Sequence, residues 1–345
     1  MPMVTLNIPL PESFFEEEVI CGFKVEQWRK KVWAVELDLL VTLAQVCKDN
    51  HLTFFLGGGT LLGAALYKGF IPWDDDVDVY MPRGDYERLC AIAGEVFKEP
   101  YFFQTYRSDF GYPRLHAQIR FNGTTGILKC EAPLRLRFNQ SIFIDVFPLD
   151  AVPEDEEERR GFAKELKSAF KTLSHASVND IRAIASSIDQ LLQKYHSSSN
   201  APRFVNAALS AEIMSGRDMF DYDWVRNAET MEFCGQRFPV PAGWKIWLCQ
   251  RYPGWYCQKR WSADLCENIH GGVIFDADNG WQDYLRKQRL FACCFRRLKI
   301  RVMQSLSKLA RSVKTHLLLS FFLFVVLVGV WSMLVVVATR FALNR

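Results

Sequence analysis

FLGGGTLLGAALYKGFIPWDDDVDVY, residues 55–80, holds a turn, a helix start and a group of acids. Thr53 to Leu56 reads as a short buried strand, the glycines Gly57, Gly58 and Gly59 break it, and Leu61 to Tyr67 reads as a helix. A glycine turn that opens a helix lets backbone N–H groups approach phosphate oxygens, and the helix N-terminus adds favourable partial charge. A second strand is expected from Asp76 to Tyr80. Residues i and i+2 of a strand share a face, so Asp76 and Asp78 can converge on one divalent cation, with phosphate and water completing an oxygen shell. Asp74, Asp75, Asp76 and Asp78 crowd four carboxylates together, which repel unless a cation or hydrogen bonds offset them. Their apolar flanks, Phe70, Ile71, Trp73, Val77 and Val79, argue against a solvated acidic loop.

Outward from this stretch, Val32, Trp33, Leu37, Leu40, Ala44 and Cys47 recur at three- and four-residue spacing, which predicts an amphipathic helix between Glu26 and Asn50. Ser141 to Phe147 predicts another strand, ended by Pro148. Asp145 sits in its apolar middle, where a lone charge is expensive to bury. Pairing with a metal-bound group, or service as base on an acceptor hydroxyl, would explain it. Pro153 and the acids Glu154 to Glu158 mark a helix start, with Phe162, Leu166, Ala169 and Leu173 as its buried stripe. Helices and strands alternate, so the class is α/β or α+β. A mostly helical, aromatic-rich second half is expected, and residues 197–203 read as a surface loop.

The 345 residues carry a formal net charge of +3, too balanced for a nucleic-acid binder. Ten cysteines without paired C-x-x-C spacing resemble neither a disulfide framework nor a closed zinc site. Cys293 and Cys294, beside a basic stretch, would permit reversible acylation. Leu317 to Ala338 is 22 residues without a charge, enough to cross a bilayer core of about 30 Å, and predicts a transmembrane helix. Seven Lys or Arg and no acids lie between Arg296 and Lys314, where Leu298, Val302, Leu306 and Leu309 keep helical spacing while Arg297, Arg301, Lys308 and Arg311 follow another face. Such a helix can lie on anionic lipid. No signal peptide is read at the N-terminus, so the positive-inside rule predicts a tail-anchored protein with its catalytic part in the cytosol, the alternative being the ER or Golgi lumen.

GGTLLGA followed by KGFIPWDDDVDV is similar to the LicD family, which includes bacterial phosphocholine transferases and the eukaryotic fukutin and fukutin-related proteins. The resemblance extends through QTYRSDFGYPRLHAQIR (104–120), NGTT (122–125), FIDVFPLD (143–150) and GQRFPVPAGWKIWLCQRYP (235–253), with a variable part near 151–215. It implies a nucleotidyltransferase-like core that moves a phosphorylated alcohol from a CDP-linked donor to a sugar hydroxyl of a glycan, with Mg²⁺ or Mn²⁺. By position, Gly58, Gly59 and Thr60 match the phosphate-facing element, Asp76 and Asp78 the metal pair, and Asp145 the third acid. Lys68 and Arg120 match basic positions that could hold phosphate, snorkelling at the surface being the other reading. Leu66 and Tyr67 depart from the Arg-His that bacterial members commonly carry before this lysine.

The expected layout is an N-terminal segment (1–25), the catalytic core (26–150), a helical and aromatic-rich remainder (151–262), a linker and basic juxtamembrane segment (263–316), the membrane helix (317–338) and a short tail (339–345). Two further functions fit the same residues. One is a true nucleotidyltransferase that attaches NMP to its acceptor, and the other a catalytically silent, membrane-tethered scaffold.

Overall fold

The computed structural model describes residues 4–128, 136–194, 203–206, 219–256 and 272–286. The chain divides into two compact units, Met1–Tyr284 and Leu285–Arg345, and the elements below belong to the first. The expected membrane helix at 317–338, its basic approach and the Cys293–Cys294 pair lie outside the described residues. Among the described residues no helix is long and apolar enough to cross a membrane.

A short hairpin, β1 (Glu18–Ile20) and β2 (Phe23–Val25), leads into α1 (Gln27–Asp49), the helix expected between Glu26 and Asn50. Every residue from Val32 to Leu40 is buried, so α1 runs through the core instead of lying on it with one face wet. Then follow β3 (Phe55–Leu56), α2 (Gly58–Tyr67), β4 (Asp78–Pro82), α3 (Arg83–Val96), β5 (Tyr101–Gln104), β6 (Ala117–Phe121), β7 (Thr125–Leu128) and β8 (Ile142–Val152).

Strand β8 organises a mixed seven-stranded sheet. It pairs in parallel with β4 along one edge. Along the other it pairs antiparallel, first with β6 up to Val146 and then, from Leu149, with β9 (Arg203–Asn206). The path is completed by β10 (Met219–Phe220), which borders β9, by β3 beside β4, and by β5 beside β6. Proline 148 does not end the strand as expected. It falls in the gap between the two antiparallel partners, where that edge has no ladder bond to lose.

Helices α4 (Glu156–Ser174) and α5 (Ile181–Gln193) form the helical insert. The Asp155 side chain caps α4 by accepting from Glu158 N–H at 2.8 Å, and Phe162, Leu166 and Leu173 are buried as the spacing predicts. Beyond residue 219 the expectation of a mostly helical half fails. Between α6 (Tyr222–Arg226) and α7 (Trp244–Arg251) lies a hairpin of β11 (Ala228–Phe233) and β12 (Gln236–Pro241), turned at Cys234 and Gly235, both with positive φ. A last strand, β13 (Val273–Asp276), pairs with β7. Phe220, Phe233, Phe238 and Trp247 are buried in the same hydrophobic cluster as α1 and the sheet, so much of the aromatic stretch is core.

Candidate active site

Register places the acids. Asp78 opens β4 and is paired with Asp145 in β8, which is paired on its other side with Gln118 of β6. Cross-strand partners present their side chains on one face. Asp76 lies just before β4. The carboxylates of Asp76, Asp78 and Asp145 offer oxygens that all lie within 4.8 Å of one another, and so, as a second group, do those of Asp74, Asp75 and Asp76. The donors are all oxygens on a partly exposed face, which suits a hard divalent cation such as Mg²⁺ or Mn²⁺.

The glycine turn is fitted to these acids. Gly57 N–H donates to the Asp78 carbonyl at 2.9 Å, and Asp78 N–H donates to Thr60 Oγ1 at 2.8 Å. Gly58 has φ +48°, and a Cβ there would overlap Asp78 Oδ2. A Cβ on Gly59 would stand 2.5 Å from Asp74 Oδ2. Only glycine lets the first turn of α2 approach the carboxylates so closely. The positive end of the helix thereby faces the negative cluster.

Burial disfavours charge on Asp76, and its neighbours Asp74 and Asp78 add to this, so its pKa is pushed well above the usual carboxylate range. Burial works the same way on Asp145 but is outweighed. His116 Nε2 donates to Asp145 Oδ1 at 3.0 Å and Gln118 Nε2 to the same oxygen at 2.7 Å, and with the charge of Arg114 they hold its pKa below the usual range.

Of the basic residues singled out from the sequence, neither reaches the acids as a free cation. Arg120 is buried, its guanidinium bonded to Gln104 Oε1 at 2.7 Å, the Ser141 carbonyl at 2.6 Å and Gln118 Oε1, and stacked over Phe143. It positions Gln118, which positions Asp145. Lys68 caps the far end of α2, about 15 Å along the axis from Gly58 by helical rise, with its side chain 73% exposed and 3.5 Å from Glu232.

The sequence reading passed over His116, Gln118, Arg29 and Glu36. His116, Gln118 and Arg120 alternate, which puts His116 and Gln118 on the same face as Asp145, and that period of two was the available signal. Arg29, on α1, donates to the Asp74 carbonyl at 2.7 Å.

The fold and the site together define a mixed α/β domain with carboxylates gathered beside a glycine turn. Residues 51–124, which contain the glycine turn, Asp74 to Asp78, His116 and β6, match the family described as "LicD/FKTN/FKRP, nucleotidyltransferase domain". Over 120 residues the chain is 35% identical to the lipopolysaccharide cholinephosphotransferase LicD of Haemophilus influenzae, a match covering 34% of this chain and 43% of that protein. Residues 51–124 thus resemble a LicD-family nucleotidyltransferase domain, and the likeness spans less than half the length of the curated relative.

Proposed function

We propose that this protein is a LicD-type phosphotransferase that moves a phosphorylated alcohol, such as phosphocholine or ribitol phosphate, from a CDP-linked donor to a sugar hydroxyl of a glycoconjugate. The observation that carries the reading is the convergence of Asp76, Asp78 and Asp145 within 4.8 Å beside a helix N-terminus that only glycine could bring so near. The cholinephosphotransferase name of the relative supports the transferred group.

In this mechanism Asp76, Asp78 and Asp145 would hold Mg²⁺ or Mn²⁺. The cation would neutralise donor diphosphate charge, the chief demand of phosphoryl transfer. The N-terminal turn of α2, at Gly58, Gly59 and Thr60, adds partial positive charge to the donor side. A carboxylate held below its usual pKa is a weak proton acceptor, so Asp145 is assigned to the cation. His116, hydrogen-bonded to it, is assigned to receive the proton of the attacking hydroxyl. CMP leaves.

The test is CMP release by the full-length protein in detergent, with CDP-choline, CDP-ribitol or CDP-glycerol and Mg²⁺ or Mn²⁺. Release with transfer of the phosphorylated alcohol supports the reading, whereas NMP appearing on the acceptor identifies a nucleotidyltransferase instead. The bilayer anchor at 317–338 and the cytosolic catalytic part belong to the same proposal. A catalytic domain that survives external protease on intact microsomes until detergent is added would overturn that topology.

A further inference from the structure

The first turn of helix α1 carries two side chains that lie against each other, Trp28 and Arg29. Among the described residues Trp28 is the one exposed tryptophan, with 45% of its surface in water. Its ring is nevertheless fixed. The indole Nε1–H donates to Glu26 Oε2 at 2.7 Å, and the Arg29 guanidinium lies over one face, 4.8 Å from the ring centroid. That guanidinium is itself 5.6 Å from the centroid of Phe23, which meets Trp73 edge to face at 6.1 Å. An edge and one face of the indole are thus engaged, and the opposite face is open.

The same contacts tie the ring to the candidate site. Arg29 Nη1 donates to the Asp74 carbonyl at 2.7 Å, and Trp33 Nε1, about one turn farther along α1, donates to that oxygen at 3.3 Å. Trp28 therefore stands one guanidinium away from the backbone of Asp74. A carboxylate oxygen of Asp74 lies in turn within 4.8 Å of one from Asp76, which is grouped with Asp78 and Asp145. An indole packed for stability alone gains by being covered. This one is held in a single orientation with a face left in water, beside the acids, and a ring already fixed loses little freedom when a second flat group stacks on it.

We infer that the open face of Trp28 is the platform on which the nucleobase of the donor stacks. In a nucleoside diphosphate one ribose separates the base from the phosphates, so a residue that holds the base must flank the group that holds the phosphates, as Trp28 flanks the acidic turn through Arg29. Stacking needs no hydrogen-bond readout, because every base has a π-face. The base is the end of the donor farthest from the transferred phosphoryl group, so the ring touches no reacting atom. Its contribution is the same in the ground state and the transition state, and belongs in KM. The inference rests on the CDP-donor reading and deepens it.

Calorimetric titration of the full-length protein in detergent, with Mn²⁺ present, tests this with two probes, CMP and ribose 5-phosphate, which share the sugar phosphate and differ in the base. Trp28→Ala is expected to weaken CMP binding by about tenfold or more, the usual worth of one base–aromatic stack, and to leave ribose 5-phosphate unchanged. Trp28→Phe, which keeps a ring, should recover most of the loss. With a CDP-alcohol that the wild type cleaves, the alanine variant should raise KM by a similar factor and keep kcat within about twofold. Unchanged CMP affinity in Trp28→Ala, an equal loss for both probes, or a phenylalanine variant no better than alanine would overturn the platform while leaving the donor reading intact. A wild type that neither binds CMP nor releases it from any CDP-alcohol would overturn both.

Discussion

Strand β8 carries two buried acids, Asp145 and Asp150, in opposite electrostatic settings. Around Asp150 the chain brings its own countercharge. Arg83 grips both carboxylate oxygens, Nε and Nη2 each at 2.7 Å. The network continues to Glu87 at 3.2 Å and Asp189 at 3.5 Å, and from Arg107 back to Glu87 and Asp189, each at 2.7 Å. It ties α3, the central strand and α5 together. Around Asp145 the chain instead adds acids, Asp76 and Asp78 beside it, and orients the group with His116 and Gln118. Where a buried acid is bidentately paired, the fold itself is what it serves. Where acids are gathered, their mutual repulsion costs stability, and a bound cation would offset that cost.

Variants can break this contrast. Asp76→Asn should lower activity by about 10³-fold or more, since electrostatic stabilisation of the transferring group is lost. In metal-free buffer its melting temperature should hold or rise, because one of the repelling charges is gone. Arg83→Met should do the reverse, stranding Asp150 in the core at a cost of about 3–5 kcal/mol, read as a lower urea midpoint, with activity per folded molecule largely kept. Gly58→Ala combines both regions' penalties on a smaller scale. Placing alanine at φ +48° costs about 1–2 kcal/mol, and its Cβ would push the Asp78 carboxylate aside, so Mn²⁺ affinity should fall as well.

A pH titration sharpens the same point. Asp76 has its pKa raised by burial and then by Asp74 and Asp78. Between the ordinary carboxylate range and that raised value the folded chain binds more protons than the unfolded one, so the Asp76 contribution makes cation-free stability fall as pH rises through the window. Saturating Mn²⁺ should flatten this slope. The smallest effect is expected from Lys68→Ala, which removes an exposed ion pair worth less than about 1 kcal/mol and should leave CMP release within about twofold of wild type if the lysine stands outside the site.

The acids were legible because their spacing is a statement about geometry. The i, i+2 spacing pointed to Asp76 and Asp78, whose carboxylate oxygens lie within 4.8 Å of each other even though β4 begins only at Asp78, and Asp145 stood out as a charge in an apolar run. Glu36 was not legible. Helical periodicity ranks apolar positions against polar ones, and a helix buried all round offers no wet face from which Glu36 could be missed. Lys68 and Arg120 show the limit of position matching, since a basic residue in the right column can be a helix cap or the brace of another side chain. The β11–β12 hairpin was hidden by its aromatics, although Phe238 and Val240 alternate with less buried neighbours and Cys234-Gly235 supplies a turn. Pro148 misled because its tolerance depends on where β6 and β9 end, which only the tertiary register reveals.

The claim on which the rest depends is that the paired aspartates bind a divalent cation, and calorimetric titration of Mn²⁺ into wild type, Asp76→Asn and Asp78→Asn measures it without recourse to substrate. Saturable binding by the wild type that is lost in both variants, each still folded by circular dichroism, is the predicted result. Unchanged affinity in both variants would contradict the assignment of the site.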